Sequence, residues 1–557
     1  MQKLRSYISV IILSLNFLNA NSQTTSATIN VDLDKPIGNM NPLWAWFGYD
    51  EPNYTYMKDG KKLLSEIAAL SPVPVYVRTH SLLSTGDGMP ALKWGSTNAY
   101  TEDENGNPVY SWKILDSIFD TYIQRGMKPL AQIGFMPEAM STHPQPYKHD
   151  WKPGMPYDKI ITGWAYPPKD YQKWGNLVYE WVKHSVQRYG KKEVESWYWE
   201  VWNEPNSSYW KGTQQEYFKL YDYAADGLKR ALPTAKIGGA DITGGGTKFL
   251  DAFIKHCLYD TNSVTGKISS PLELVLFHAK GSPRLVDGTV VMNVKQQLTN
   301  INDALKLITS FKELKNIPIV IGESDPEGCS ACGMATNPSN AYRNGTMYSS
   351  YTAASFARKY ELADKYNANL IGAVTWAFEF EDQPWFYGFR DLATNGVDKP
   401  VLNVFRMFGM MTGKRVEVQA SNMYSLKNIL DSSVRGQTDV GALASKDDHS
   451  VAVMLWNYHD ADKEGDTCNV ALAINNIPSQ KIIVTEYRIS KRYSNSYEFW
   501  KNIGMLQKPT PAQLKQLETS GHLAQYNLPQ QMEIKNGTAK INIVLPRQGV
   551  YLLKLTW

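Results

Sequence analysis

Two consecutive residues, Asn203 and Glu204, stand where side chains can do chemistry. They follow the run Trp197 to Trp202, whose aromatic and β-branched side chains are typical of a buried strand. Pro205 then ends the strand, because proline has no backbone N–H to donate to a sheet. A carboxylate at that strand end, among aromatic residues, can exchange protons with a ligand that has apolar faces and hydroxyl groups. Taken alone, such a glutamate is more simply the N-cap of a following helix.

A second glutamate, Glu323, follows a second strand-like run. Residues 319–322 read Ile-Val-Ile-Gly, and Ser324, Asp325 and Pro326 come after the glutamate. If both strands belong to one barrel, the two carboxylates face each other across its mouth. Hydrolysis of a glycosidic bond requires such a pair, since one group donates a proton and the other acts as nucleophile or base. The presence of both glutamates therefore indicates a catalytic role, although either one alone would be interpreted as the cap of a loop.

Strand-like and helix-like patterns alternate between about residue 40 and residue 411, with eight of each. Helices between successive strands imply parallel strands, and eight such units imply a closed (β/α)8 TIM barrel of the α/β class. An open doubly wound sheet is the alternative, but no glycine-rich phosphate loop follows the first strand. The predicted strands are Leu43–Phe47, Pro74–Arg78, Pro129–Gly134, Trp197–Trp202, Lys236–Ala240, Leu272–Phe277, Pro318–Gly322 and Leu370–Trp376. The predicted helices are Gly60–Leu70, Trp112–Arg125, Tyr171–Tyr189, Gln214–Leu232, Lys248–Leu258, Val294–Leu314, Thr346–Tyr366 and Val401–Met411.

Two long loops, residues 79–111 and 135–170, follow predicted barrel strands and are rich in Trp and Tyr. Loops of this length are usually functional or disordered. Their aromatic content favours ordered walls of a cleft.

The helical pattern stops after Gly413, and the rest of the chain reads as strands separated by polar turns. Val451–Trp456, Ile482–Ile489 and Ile541–Leu555 are the clearest strands and predict an accessory β-sandwich. The alternating segment Thr25–Leu33 precedes the barrel and is expected to pair with this domain. The predicted division is a barrel over residues 36–411 and a sandwich built from residues 24–35 together with 412–557.

The first 23 residues are typical of a secretory signal. Lys3 and Arg5 precede a short apolar stretch, and Ala20-Asn21-Ser22 offers the small residues of a cleavage site. The apolar stretch is shorter than the ~20 residues of a membrane span. There is no cysteine near the cleavage site to which a lipid anchor could be attached. We therefore expect an exported protein, periplasmic or secreted, without a membrane anchor.

Composition narrows the class of protein further. The 557-residue chain is long enough for two domains, and its net charge of +4, without a basic run, argues against nucleic acid or a membrane surface as partner. Its 17 Trp and 33 Tyr fit a carbohydrate-binding cleft, although large cores use aromatic residues too. No His-Glu-x-x-His or comparable cluster indicates a metal, and no cofactor is expected. Cys329 and Cys332 could form a local disulfide or remain free thiols.

Four motifs in a fixed order carry a resemblance to a known family. They are Val77-Arg78-Thr79-His80, Trp202-Asn203-Glu204-Pro205, Phe277-His278-Ala279-Lys280-Gly281 and Glu323-Ser324-Asp325-Pro326. The set resembles glycoside hydrolase family 39 of clan A, which includes β-xylosidases and α-L-iduronidases, over about residues 40–411. The third and fourth motifs look closer to the iduronidases, whereas the signal and the aromatic loops look more like a microbial polysaccharide enzyme. The insert at Cys329 to Cys332 fits neither branch.

The resemblance implies a retaining mechanism through a covalent glycosyl-enzyme. Matched by position, Glu204 would be the general acid/base and Glu323 the nucleophile. The negative charge of Glu323 is expected to keep Glu204 protonated until the nucleophile has reacted.

The resemblance also implies roles for five further residues. Asn203 would hydrogen-bond the sugar 2-hydroxyl, and His278 would orient Glu323 or contact the sugar. His80 would line the subsite or be a buried structural histidine. Trp376 would stack on the sugar or pack in the core. Lys280 would bind a sugar carboxylate or pair with a protein carboxylate such as Asp325, which would leave a pocket for a neutral pentose.

Three more glutamates at strand ends, Glu138, Glu379 and Glu381, are expected to accept sugar hydroxyls rather than to catalyse. The expected activity is that of a β-xylosidase-like enzyme on xylose-containing plant or algal glycans. An iduronidase-like enzyme, or another that cleaves uronides or arabinosides, is the alternative. A catalytically silent barrel that binds glycans is a third hypothesis, which only an activity measurement separates from the others.

Overall fold

The structure is a computed structural model that describes residues 25–327, 329, 331–376, 380–465 and 467–557. The predicted signal, residues 1–23, and Glu379 lie outside the described residues.

A closed barrel of parallel strands forms the first domain. Its strands are Trp46–Tyr49, Tyr76–Thr79, Lys128–Ile133, Tyr198–Val201, Lys236–Ile242, Leu274–His278, Ile319–Glu323 and an eighth in two segments, Leu370–Ala373 and Thr375–Trp376. The first segment of the eighth strand pairs with the seventh strand and the second segment with the first strand. At the break, Val374 still exchanges backbone hydrogen bonds of 2.8 Å with Ile321 and Ser324 of the seventh strand. The predicted (β/α)8 barrel is therefore confirmed.

A helix lies between each barrel strand and the next. The helices are Lys58–Ala68, Lys113–Ile123, Tyr171–Tyr189, Gln214–Ala231, Thr247–Tyr259, Val294–Ile308, Thr346–Tyr366 and Pro400–Gly409. The third illustrates why they form: the Asp170 side chain accepts the amides of Gln172 and Lys173 as N-cap, and the buried face carries Val178 and Val182. The third and seventh helices have the bounds that the sequence predicted.

Two predicted bounds are wrong for local reasons. The first strand begins at Trp46 rather than Leu43, because the Ala45 amide donates to the Pro42 carbonyl and forms a turn there. The sixth helix ends at Ile308, and residues 312–314 form a separate 3-10 turn. The hydroxyls of Thr309 and Ser310 bond back to main-chain carbonyls, which competes with continuation of the helix.

Both long loops are ordered parts of the domain. The loop 79–111 contains a hairpin of Tyr100–Glu102 and Pro108–Tyr110. The loop 135–170 contains the 3-10 helices Glu138–Met140, Tyr157–Ile160 and Gly163–Ala165. Further short elements are the hairpins Arg284–Val286 with Thr289–Val291 and Ala393–Thr394 with Val397–Asp398, the helix Lys191–Val194, and the 3-10 turns Pro52–Tyr54 and Pro338–Asn344.

The second domain is a nine-stranded mixed sheet. In spatial order its strands are Gln530–Glu533, Lys481–Ile489, Val550–Thr556, Ser450–Tyr458, Asp439–Lys446, Lys414–Ala420, Thr25–Asn39, Cys468–Asn475 and Ala539–Leu545. One apolar core includes Ile29 and Val31 near one end of this order and Val453 and Leu553 near the other, so the sheet folds over itself in two layers. The helices Leu426–Ser432, Ser496–Asn502 and Pro511–Gly521 flank it.

Two strands of this domain differ from the sequence prediction. The N-terminal strand runs to Asn39, antiparallel to Lys414–Ala420 and parallel to Cys468–Asn475. The single strand predicted over Ile541–Leu555 is two strands, because a turn between Pro546 and Gly549 separates them.

The strand Ser450–Tyr458 joins the two domains through both of its faces. Alternate side chains point to opposite faces of a strand. Val451 and Val453 pack in the core of the sheet, whereas Met454 and Trp456 pack in the core of the barrel domain. The sheet therefore packs directly against the barrel domain and shares part of its apolar core.

Candidate active site

The chemistry-bearing side chains converge at the carboxyl ends of the barrel strands. They open onto a cavity of about 250 Å³. Its lining residues are Asp50, His80, Lys93, Tyr157, Asn203, Glu204, Tyr209, Lys280, Glu323, Cys329, Trp376 and Arg390. Of the residues predicted from the sequence, this cavity is lined by His80, Asn203, Glu204, Lys280, Glu323 and Trp376, whereas His278, Glu138 and Glu381 do not line it.

Glu204 stands on a strained turn directly after the fourth strand. Trp202 and Glu204 have positive φ angles of 70° and 46°, in the left-handed region that non-glycine residues rarely adopt. Such residues cost about 1–3 kcal/mol each and persist only when the surrounding structure holds them. Here the Glu204 amide donates to the Asp241 carbonyl at 3.0 Å, and the Trp202 amide donates to Ile133 at 3.1 Å. The turn leaves the Glu204 side chain 22% exposed at the cavity.

His278, at the end of the sixth strand, lies between three carboxylates. Its Nδ1 is 2.9 Å from Oε1 of Glu204, and its Nε2 is 3.1 Å from Oδ2 of Asp241 and 3.8 Å from Oε1 of Glu323. Burial lowers the pKa of His278, but Asp241 and Glu323 raise it to about 10. His278 is therefore an imidazolium at neutral pH. It contacts both catalytic candidates, where the sequence predicted contact with Glu323 or sugar.

Glu323, at the end of the seventh strand, is buried among cationic and ionisable groups. Its carboxylate contacts Lys280 at 2.6 Å, Arg78 at 3.3 Å, His80 and His278 at 3.8 Å each, and Arg390 at 3.9 Å. Burial raises the pKa of Glu323, but these charges, first that of Lys280, lower it well below its usual range. Glu323 is therefore a carboxylate at neutral pH, as a nucleophile must be.

Arg78 fixes the floor of the site. The side chain is fully buried, and it donates to Glu200 at 2.7 Å, to Asn203 at 2.9 Å and to Glu323 at 3.3 Å. It also contacts Asp241. One guanidinium thus holds groups from three other strands in register. Asn203 is consequently fixed through its side-chain oxygen, which leaves its amide nitrogen as the donor for a ligand.

His80 and Trp376 are buried and also line the cavity. A structural role in the core and contact with the sugar are therefore compatible for both residues. His80 holds Asp50 through Nδ1 at 2.8 Å, while its Nε2 has no hydrogen-bond partner among the described residues. The Trp376 ring is 1% exposed, 4.5 Å from the His80 ring and 5.0 Å from the Arg78 guanidinium.

Lys280 pairs with two protein carboxylates. Its Nζ is 2.6 Å from Oε2 of Glu323 and 2.9 Å from Oδ1 of Asp325. Oδ2 of Asp325 also lies 2.5 Å from a guanidinium nitrogen of Arg390. The pairing with Asp325 is one of the two arrangements that the sequence predicted, whereas the contact with Glu323 was not predicted.

Six cavity residues were missed by sequence reasoning. Asp50 and Lys93 form an ion pair, Tyr157 and Tyr209 share a hydrogen bond of 2.9 Å between hydroxyls, and Arg390 holds Asp325. Cys329 forms a disulfide with Cys332. Most of these residues lie on loops. The aromatic content of the loops 79–111 and 135–170, which contain Lys93 and Tyr157, was the signal that pointed to two of them.

Glu138 and Glu381 do not line this cavity, and their expected role as acceptors of sugar hydroxyls stays a prediction. Glu381 accepts the Asp59 amide at 2.6 Å, at the start of the first helix. Glu138 begins a short 3-10 helix and faces Gln145.

One group of residues in the described parts of the chain has the donor set of a metal site, and it lies outside the cavity. It consists of Glu66, Asp398 and His522. Arg406 already contacts Asp398 at 2.8 Å, which provides the positive charge that this carboxylate needs.

A parallel barrel with paired carboxylates at the carboxyl ends of its strands is an architecture of glycoside-cleaving enzymes. Comparison with known proteins agrees, since the profile of glycosyl hydrolases family 39 matches residues 27–527. The chain belongs to this family and is a glycosidase.

Relatives of both branches match most of the chain. A β-xylosidase from Geobacillus stearothermophilus is 26% identical over 86% of this chain and 86% of its own length. An α-L-iduronidase from Mus musculus is 22% identical over 88% of this chain and 75% of its own length. Among solved structures, the family 39 enzyme from Xanthomonas axonopodis pv. citri has a TM-score of 0.74 at 20% identity, over 98% of this chain and 100% of that one. At this identity the likeness shows the fold.

In the described parts of the chain, no helix is both long enough and apolar enough to span a membrane.

Proposed function

We propose that this chain is a retaining, β-xylosidase-like enzyme in which Glu204 is the general acid/base and Glu323 the nucleophile. The substrate is a glycan that ends in a neutral pentose. Asn203 and His80 bind the sugar, and Trp376 forms an apolar wall.

The observation that carries the sugar assignment is the position of Lys280. Its ammonium group lies within 2.9 Å of both Glu323 and Asp325. A uronate carboxylate would have to compete with two protein carboxylates for this cation. A neutral pentose needs no such exchange, so the pairing supports a xyloside.

In the first step, the Glu323 carboxylate attacks the anomeric carbon while Glu204 gives its proton to the leaving oxygen. The glycosidic bond breaks, an ester forms on Glu323, and the freed alcohol departs. Glu204 becomes negative in this step. The imidazolium of His278, 2.9 Å away, stabilises that charge through a charge-assisted hydrogen bond.

In the second step, Glu204 takes a proton from a water molecule, which attacks the anomeric carbon. The ester bond breaks, and the sugar leaves with its original configuration. The cations around Glu323, first Lys280, stabilise the departing carboxylate.

Retention is proposed from membership of glycosyl hydrolases family 39. The size of the cavity supports action on a terminal sugar. The cavity, at about 250 Å³, lies below the roughly 300–1,000 Å³ of pockets for larger ligands. A single sugar fits such a space better than a long stretch of glycan.

The α-L-iduronidase relatives supply the second candidate, a uronide-cleaving enzyme. Its specific support is that Lys280 and Arg390, which both contact Asp325, line the cavity. A substrate that displaced Asp325 from them would meet two donors for a carboxylate.

The deciding experiment compares Lys280→Met with wild type on an aryl β-xyloside and an aryl α-L-iduronide. We expect activity on the xyloside in the wild type and a loss in the variant for every substrate cleaved, because Lys280 supports Glu323. A loss confined to the iduronide would contradict the xylosidase assignment. Lys248→Met, at an exposed lysine, is the control and should behave as wild type.

We also propose that the protein is exported, on the basis of the signal-like residues 1–23. Expression of the full chain in a Gram-negative host tests this: N-terminal sequencing should find the mature protein cleaved near residue 22 and outside the cytoplasm. An uncleaved cytoplasmic chain would contradict it.

A further inference from the structure

Asp241, at the end of the fifth barrel strand, is a fully buried carboxylate that the reaction steps above do not use. Its Oδ2 lies 3.1 Å from Nε2 of His278 and also contacts the Arg78 guanidinium. Each of these two cations in turn contacts Glu323. Asp241 is therefore one contact away from the nucleophile along two routes.

The main chain of Asp241 reaches the other catalytic candidate. Its carbonyl oxygen accepts the Glu204 amide at 3.0 Å, and its own φ of 47° lies in the left-handed region. This hydrogen bond holds the strained turn that carries Glu204. A residue in such a conformation persists because its surroundings impose it.

The residue before the nucleophile makes room for this side chain. A Cβ at Gly322 would lie 2.1 Å from Oδ1 of Asp241, so only glycine allows the carboxylate its place. The strand that carries Glu323 is thus shaped around Asp241.

We propose that Asp241 is a positioning residue that orients the His278 ring between Glu204 and Glu323. The inference rests on the roles proposed for these two glutamates. Asp241 acts through His278 and Arg78 and touches no substrate.

The charges around His278 explain why one carboxylate has this influence. Glu204 faces it from the fourth strand, Asp241 from the fifth and Glu323 from the seventh, and buried Glu200 adds a more distant interaction. Asp241 is the largest contribution that favours the charged ring. Burial opposes the charged ring. Without Asp241, only Glu204 and Glu323 would offset that cost, so the pKa of His278 should fall.

The first test is an NMR titration of the imidazole nitrogens in ¹⁵N-histidine-labelled protein, with the His278 signals assigned by their loss in His278→Gln. In the wild type, both nitrogens should stay protonated through pH 8. In Asp241→Asn, the titration should move to lower pH. Asp222→Asn is the control, because Asp222 holds His256 at 3.0 Å in an equally buried pair elsewhere in the barrel. It should leave the His278 signals unchanged.

The second test is a double-mutant cycle on kcat for an activated aryl glycoside. Asp241→Asn should lower kcat roughly 10- to 100-fold with a smaller change in KM, as removal of groups that orient a functional side chain does. In the His278→Gln background the same substitution should cost less than about threefold, because the two residues act as a unit. Asp222→Asn should leave kcat unchanged.

Loss of the His278 proton below pH 7 in the wild type would overturn the inference, and this measurement needs no variant to fold. An unchanged His278 titration in Asp241→Asn, or fully additive losses in the cycle, would also overturn it. The titration does not depend on the roles of Glu204 and Glu323. If these roles fail while the titration behaves as expected, the fault lies in the proposed function and not in the link between Asp241 and His278.

Discussion

The ammonium of Lys280 lies 2.6 Å from Oε2 of Glu323, on the adjacent barrel strand. This contact makes Lys280 the largest charge that favours ionised Glu323. When the carboxylate is esterified, Lys280 keeps Asp325 as its partner, so the cation is not left unpaired. The pair therefore suits a group that must lose and regain its charge in each turnover.

Glu204→Gln and Glu323→Gln should each abolish most turnover while the fold stays intact. Loss of a general acid/base costs typically 10²–10⁴-fold, and loss of the nucleophile should cost at least as much. Steady-state kinetics and circular dichroism provide the measurement, with Glu138→Gln, outside the cavity, as a control that should retain wild-type activity. Near-normal activity in either variant would refute its role, and a silent glycan-binding barrel would show no activity in the wild type.

A chain truncated after Gly413 should be insoluble or inactive. It would lose Met454 and Trp456, which pack in the barrel core, and leave Thr25–Asn39 without either neighbouring strand. Soluble expression and activity should be compared with a chain of residues 25–557, which should be fully active. A soluble truncated chain with full activity would show that the sheet is dispensable.

The disulfide is expected to support substrate binding. Cys329 lines the cavity, and its carbonyl and that of Cys332 accept from Arg343 at 2.9 and 3.3 Å. The double variant Cys329→Ser, Cys332→Ser should raise KM severalfold and change kcat less. A reductant should have the same effect on the wild type and none on the double variant. Equal kinetics with and without the disulfide would contradict this expectation, and Cys257→Ser, at a buried free thiol, serves as control.

Lys359→Met should stabilise the protein most at neutral and acidic pH. Lys359 is buried over the Phe356 ring, and burial lowers its pKa to about 7. Between pH 7 and the ordinary lysine pKa near 10, the unfolded chain binds the proton and the folded chain does not, so wild-type stability rises with pH.

The variant removes this dependence. Its advantage in the free energy of unfolding should be on the order of 4 kcal/mol at pH 6 and should shrink towards pH 10. Urea unfolding at the two pH values measures it. Lys365→Met, at an exposed position on the same helix, should show no such dependence, and a variant less stable than wild type at pH 6 would contradict the account.

The parts of the fold that were predicted correctly are those that depend on residues close together in the sequence. Apolar periodicity marked the barrel helices, and the proline after Glu204 marked the end of the fourth strand. The ends of strands are where a barrel collects its functional groups. Glu204, Glu323 and Lys280 could therefore be placed at the site from sequence.

Partners across the barrel could not be predicted in the same way. Asp241 follows Gly238, Gly239 and Ala240, a composition that suggests a turn, and the predicted strand ended one residue before it. Arg390 lies in a loop beyond the eighth strand, so the periodicity of a helix or strand could not predict its contact with Asp325. Contacts between side chains from different strands depend on how the barrel closes. A short stretch of sequence does not show which side chains then meet.

The central claim is that Glu323 attacks the sugar and forms a covalent ester. The protein is incubated with an activated 2-deoxy-2-fluoro-β-xyloside. The fluorine slows formation of the ester and slows its hydrolysis more, so the covalent intermediate should accumulate. Mass spectrometry of the digested protein should then find one sugar attached to the peptide that contains Glu323, and none in Glu323→Gln. A label on Glu204 or Asp325, or turnover of a xyloside with inversion and no label, would contradict the claim.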